Sequence, residues 1–193
     1  MKVYFDATQR GKDKYGAYYR EIFDAIKECG YKHLFDSLVN QSPEEFYQKF
    51  ENSTDDAQGD LYHLHMKQMQ EADINIFEAS LPSLSIGFLI NKSLDLNKPT
   101  IVLYYEENKP VLISGISHDK LIVKKYDKKN IKTMVADALG EASGLRDKRF
   151  NFFISPQLLQ YLERVSNSLG ITKSTFIRNL ITEHMRKHRP TSG

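Results

Sequence analysis

Tryptophan is absent from this 193-residue chain, cysteine occurs once, and there are only 6 prolines and 10 glycines. A single cysteine excludes an internal disulfide and any cysteine-rich zinc module. So little proline and glycine, beside 40% hydrophobic residues, excludes a disordered chain and fits one medium domain, or a domain with a small appendage. No run approaches the roughly 18 continuous apolar residues of a membrane span, and Met1 and Lys2 lead straight into VYF with no signal-peptide core. A cytoplasmic protein without membrane contact is expected. Cys29 falls on the apolar phase of a predicted helix and reads as a buried structural thiol.

What is present divides unevenly. Residues 1–146 hold 19 Lys and Arg against 22 Asp and Glu, and residues 147–193 hold 8 against 3, so an anionic partner is expected at the C-terminal end. Val3-Tyr4-Phe5 is an apolar run followed by a polar loop and a helix whose Tyr19, Ile22, Phe23 and Ile26 recur at i, i+3, i+4 and i+7. Further strands are predicted at 31–35, 74–77, 100–105 and 120–126. The intervening helices are predicted at 60–72, 83–94 and 130–139, with a short helix after Ser42-Pro43. Alternation of this kind over about 140 residues predicts an α/β fold, an open, mostly parallel Rossmann-like sheet covered on both faces. Residues 140–148 read as a linker between this domain (1–139) and a module at 149–188, with 189–193 as a disordered tail.

The module has a period-2 stretch (Phe150, Phe152 and Ile154 against Arg149, Asn151 and Phe153), then two helical stripes. Ser155-Pro156 opens the first helix, which carries Leu158, Leu159, Leu162, Val165 and Leu169 and ends at Gly170. Thr172 opens the second, which carries Phe176, Ile177, Leu180 and Ile181. About 40 residues cannot bury so much apolar surface alone, so a partner is needed. Strand, helix, Gly-Ile-Thr-Lys-Ser turn, helix resembles the ribbon-helix-helix DNA-binding family. The resemblance implies a homodimer, or a higher homo-oligomer, whose paired strands enter the major groove of double-stranded DNA. It implies Arg149, Asn151 and Phe153 as base readers and Thr172, Lys173 and Ser174 as a phosphate anchor. Phe153 departs from the pattern, because a bulky apolar ring reaches only thymine methyls. A dimerisation clip with a solvated basic face is the other reading.

In the large domain, KVYFDATQRG (residues 2–11) and ADINIFEASLPSLSIGFLINKSLDLNKPTIVLYY (residues 72–105) together resemble the nucleoside 2-deoxyribosyltransferase superfamily, which includes the 2'-deoxynucleoside 5'-phosphate N-hydrolases. Thr8, Arg10 and Gly11 stand in the places of that family's first loop, and Glu78, Pro82 and Ser83 in those of its second turn. The resemblance implies a nucleotide or deoxynucleoside ligand outside the strand ends. Tyr4 would lie near the sugar, and Thr8, Arg10, Gly11 and Ser83 around a phosphate. No cofactor is implied. Ser83 as an ordinary helix cap and Tyr4 as a core aromatic are the structural alternatives.

Family members cleave the N-glycosidic bond with a glutamate six residues after the retained serine, and here that position is Leu89. The hydrolases also use an aspartate on the preceding helix, and here that position is His65. An aliphatic side chain cannot share charge with an oxocarbenium-like centre. The reading that follows is a ligand-responsive DNA-binding protein whose deoxyribosyltransferase-like domain has lost its usual catalytic group. The alternative is an N-glycosidase or deoxyribosyltransferase that uses Glu78 or Asp6 instead, with the C-terminal module serving DNA targeting or dimerisation. His63 and His65 do not make a metal site, because residues two apart on a helix point about 200° apart.

Overall fold

In the computed structural model of the chain, residues 1–51, 55–145 and 152–188 are described, and they form two units divided at residues 147 and 148. The first unit begins with β1 (Lys2–Ala7), a 3-10 turn (Gln9–Gly11) and α1 (Lys12–Glu28). It continues through β2 (Lys32–His33), α2 (Ser37–Asn40), α3 (Pro43–Glu51), α4 (Asp55–Glu71), β3 (Ile74–Glu78), α5 (Leu84–Asp95) and β4 (Thr100–Tyr105). The unit ends with α6 (Val111–Ser114), β5 (Leu121–Tyr126) and α7 (Ile131–Gly144). The strands form one parallel sheet in the order β2-β1-β3-β4-β5. It is the α/β sheet that the alternation of elements predicts, flanked by helices.

β1 and β3 are buried along nearly their whole length, and so read as continuous apolar runs rather than alternating ones. Side chains on a strand still alternate between the faces. Tyr4, Asp6, Asn75 and Phe77 lie on the face where Asn75 donates to Ser93 of α5 (2.8 Å) and Tyr4 meets His65 of α4. Val3, Phe5, Ile76 and Glu78 lie on the opposite face, toward α1 and α7. The chain runs from β1 outward to β2 and then returns to the far side of β1 for β3. The order therefore reverses between β1 and β3, and a crevice opens at their carboxyl ends.

Local chemistry sets several boundaries. Ser42 and Glu45 form a reciprocal capping box, with Glu45 N donating to Ser42 Oγ (3.1 Å) and Ser42 N donating to Glu45 Oε2 (2.8 Å). Gly30 takes φ 81° just past α1 and ends that helix. α7 runs on to Gly144, so residues 140–144, expected in the linker, are helical; Leu139 and Ala142 bury into the core and carry the helix past the expected stop. Cys29, expected buried, is exposed, because it lies at the C-cap where α1 leaves the sheet.

The second unit contains α8 (Pro156–Leu169) and α9 (Lys173–Lys187). Ser155 Oγ accepts from Leu158 N (3.4 Å) and Thr172 Oγ1 from Thr175 N (3.1 Å), as N-caps do. Gly170, at φ 64°, lets Ile171 N reach back to the Ser166 carbonyl (3.0 Å) and closes α8. Residues 152–155 form no regular element, whereas a strand was expected over 149–154; a strand there needs a second strand to pair with. Arg149 and Asn151 lie outside the described residues. No helix among the described residues is long and apolar enough to cross a membrane.

Candidate active site at the ends of β1 and β3

Asp6 stands at the carboxyl end of β1, one residue from the crevice. Its carboxylate accepts from the Tyr4 hydroxyl (2.9 Å) and from the Ala7 amide (2.9 Å). The Tyr4 hydroxyl also lies 2.5 Å from His65 Nδ1, and His65 Nδ1 lies 3.7 Å from Asp6 Oδ2. Tyr4 is wholly buried, and its ring is held by Phe35, Phe77 and His65 at centroid separations of 5.7, 5.9 and 5.9 Å. Only about a tenth of the Asp6 and His65 side chains is exposed, 10% and 11%. Burial pushes the Asp6 carboxyl up to about 7, although the hydrogen bonds from Tyr4 and Ala7 pull the other way. Burial also pulls the His65 imidazole down to about 4 and raises the Tyr4 hydroxyl well above its ordinary value.

Glu78, at the end of β3, is enclosed differently. Its Oε1 accepts from the Tyr126 hydroxyl (3.0 Å), the Ser80 amide (3.2 Å) and the Ser80 hydroxyl, and no part of the residue is exposed. Ser80 Oγ in turn accepts from the Tyr105 amide (2.6 Å), so this carboxyl fastens the ends of β3, β4 and β5 together. Burial raises its pKa against the hydrogen bonds from Ser80 and Tyr126. The buried Tyr19 hydroxyl also faces this carboxyl and helps to lower its pKa, although among the described residues neither it nor Glu78 Oε2 makes a hydrogen bond of good geometry. In β1–β3 register Ala7 is beside Glu78 and Asp6 beside Phe77, which puts the two acids on opposite faces of the sheet.

The remaining candidates divide by exposure. Thr8 is buried and its carbonyl accepts from Gly11 N (3.0 Å) to close the turn; Arg10 is exposed at the turn's tip. Gly11 serves close packing, since a Cβ there would lie 2.2 Å from the Tyr19 hydroxyl. Ser83 caps α5, accepting from Ile86 N at 3.4 Å, and is half-buried at the crevice. Leu89 is buried in the core on α5, on the same side of the sheet as Asp6 and His65. His63 is exposed while His65 is buried, as their spacing requires. Gln9, which the sequence did not single out, is buried with its Oε1 unpartnered. A shallow polar cavity of about 600 Å³ lined by Asn40, Gln41, Glu45 and Gln48 includes none of these residues.

The sequence places Tyr4 and Asp6 on one strand face, and the resemblance puts His65 at a site position, but the contact of His65 with Tyr4 across 61 residues is seen only in the structure. Ser80 and Tyr126 were likewise missed: Ser80 folds back on Glu78 from two residues on, and Tyr126 meets it only across the sheet. In the second unit Phe153, Thr172, Lys173 and Ser174 are all exposed, and Lys173 Nζ donates to Glu163 Oε1 (2.8 Å) across the two helices.

No family model matches the chain. It is similar to the "Putative 2'-deoxynucleoside 5'-phosphate N-hydrolase 1" of Thermofilum pendens, at 28% identity over 137 residues, which covers 65% of this chain and 85% of that one. Among solved structures, it is similar to the CMP N-glycosidase BcmB of Clostridium botulinum at 17% identity and a TM-score of 0.45, over 72% of this chain and 99% of that one.

Proposed function

We propose that the large unit cleaves the N-glycosidic bond of a deoxynucleoside or its 5'-phosphate, with Asp6 as the reacting acid. The observation that carries this reading is the setting of Asp6. It lies at the point where the strand order reverses, on the same sheet face as Leu89 and His65, with a carboxyl held near neutrality and a sliver of its surface open. A carboxyl that exchanges its proton near pH 7 suits a general acid or base. Glu78 serves the frame instead: its bonded oxygen is saturated and it faces the other side of the sheet. Thr8, Arg10 and Ser83 surround the ligand's phosphate, and Tyr4 acts on the sugar only through Asp6. The similarity to the Thermofilum pendens protein supports the reaction class.

Release of free base from deoxynucleosides and their monophosphates tests this. Wild type is expected to turn over, and Asp6→Asn to lose about 100-fold or more. Glu78→Gln is expected to stay within about tenfold once shown to be folded. Nucleotide binding without base release by the wild type would leave a binding domain and end the enzymatic reading.

A second reading is favoured by the C-terminal unit. Leu158, Leu159, Leu169, Leu180 and Ile181 are between 39% and 57% exposed, an apolar surface that the chain itself leaves open. The pattern supports a ribbon-helix-helix homodimer in which residues 149–154 of two copies pair and enter the major groove. Arg149, Asn151 and Phe153 would read bases, and Thr172, Lys173 and Ser174 would hold phosphate. On this reading the large unit is a ligand sensor for a DNA-bound dimer.

A further inference from the structure

The Tyr4 hydroxyl carries one proton and has two partners, the Asp6 carboxylate at 2.9 Å and His65 Nδ1 at 2.5 Å. With one proton to donate, it cannot donate to both, so the directions of the two hydrogen bonds are linked. When Asp6 is ionised, Tyr4 donates to Asp6, and His65 completes the chain by donating Nδ1–H to the Tyr4 oxygen. When Asp6 is protonated, it donates to the Tyr4 oxygen, Tyr4 donates to a bare Nδ1, and the imidazole proton sits on Nε2. The two arrangements differ by one proton overall.

We propose that Asp6, Tyr4 and His65 are a proton relay, in which a proton taken up at Asp6 passes through the Tyr4 hydroxyl to His65 Nδ1 while Nε2 gives one up. The hop from Asp6 to Tyr4, from Tyr4 to Nδ1 and from Nε2 outward converts the second arrangement into the first. The use of the proton rests on the glycosidic-bond reading. In hydrolysis the C–N bond breaks with its electron pair on the base nitrogen, and a C–O bond forms from water. Water's proton goes to Asp6, and the proton shed at Nε2 returns to the cleft, where the base nitrogen takes one up. Asp6 is thereby emptied for the next turnover.

The surroundings isolate the chain of three. Phe35 and Phe77 pack on Tyr4 and are uncharged, and α5 offers Leu89 from its buried face. Glu78, Tyr19 and His33 lie on the opposite sheet face, His33 stacked on Phe23 at 3.6 Å, and Arg10 is exposed in the following turn. Burial holds His65 neutral across the range where Asp6 titrates, so the histidine responds by changing tautomer, not charge. His65 is a positioning residue on this account, since it acts through Tyr4.

The tautomer is read directly by long-range nitrogen–proton NMR on full-length protein labelled at histidine, from about pH 5 to about pH 9, with the Asp6 carboxyl carbon followed in parallel. The His65 proton is expected to move from Nε2 to Nδ1 as Asp6 ionises. Asp6→Asn and Tyr4→Phe are each expected to give one tautomer at every pH. A wild-type His65 that keeps one tautomer while Asp6 titrates overturns the relay. Base release is assayed separately: a switching tautomer without turnover ends the glycosidase reading and leaves the relay, and turnover with a fixed tautomer does the reverse.

Discussion

Asp6 and His65 are displaced from their ordinary values in opposite senses, and the fold feels both. Asp6 is raised to about 7, so between roughly pH 4 and pH 7 the folded chain holds a proton that the unfolded chain has released; this contribution is lost as pH rises through 7. His65 is lowered to about 4, so between roughly pH 4 and pH 6.5 the folded chain lacks a proton that the unfolded chain holds, and stability is lost as pH falls through that window. In wild type the two slopes largely cancel from pH 4 to pH 6.5. Each side chain is worth at most roughly 3.5 to 4.5 kcal/mol at about 1.4 kcal/mol per unit. Asp6→Asn is therefore expected to unmask a stability that falls below pH 6.5, and His65→Gln one that falls from pH 4 to pH 7. Urea denaturation at several pH values checks both, and parallel curves for the two variants would contradict the assignment.

Among the elements, α5 holds the sharpest ambiguity, because its cap residue Ser83 is also a candidate ligand contact. Ser83→Asp keeps a side chain that caps a helix and suits its dipole, while placing a negative charge where a phosphate would sit. The melting temperature is expected to stay within a few degrees of wild type, and the affinity for a 5'-monophosphate to fall about tenfold or more while that for the free nucleoside is spared. Equal affinity for both ligands in the variant would make Ser83 a cap and nothing else. The five strands and the long helices were legible because apolar runs and 3.6-residue stripes are local signals. α2 and α6, at four residues each, carry too few positions to form a pattern. The expected end of α7 failed because Gly140 reads as a stop, while the burial of Ala142 beyond it sustains the helix. At the site, Asp6 and Glu78 were visible as strand-end residues, and Tyr4 through the family resemblance. The faces they take, and the arrival of His65, depend on register and packing across the sheet, which no single stretch encodes.

At the scale of the whole molecule, a mildly acidic unit precedes a basic one whose helices keep an open apolar stripe. Should that stripe seat a second copy, Ile181→Glu, at a position already 57% exposed, is expected to leave each chain folded and shift it to monomer in sedimentation. DNA affinity at low salt is expected to collapse in the same variant. In wild type the logarithm of affinity should fall linearly with that of salt, with a slope of about 0.9 for each phosphate neutralised. A dimeric Ile181→Glu protein, or DNA binding by the monomer, would reject the paired-strand reading. The sheet has a different effect, because Asp6 and Glu78 stand one register step apart at the ends of β1 and β3 and so occupy separate compartments. A protein designer, or natural drift, can rewrite the compartment around Asp6, Leu89 and His65 while the tyrosine-lined compartment behind it goes on clamping the strand ends. One backbone layer insulates chemical experimentation from architectural failure.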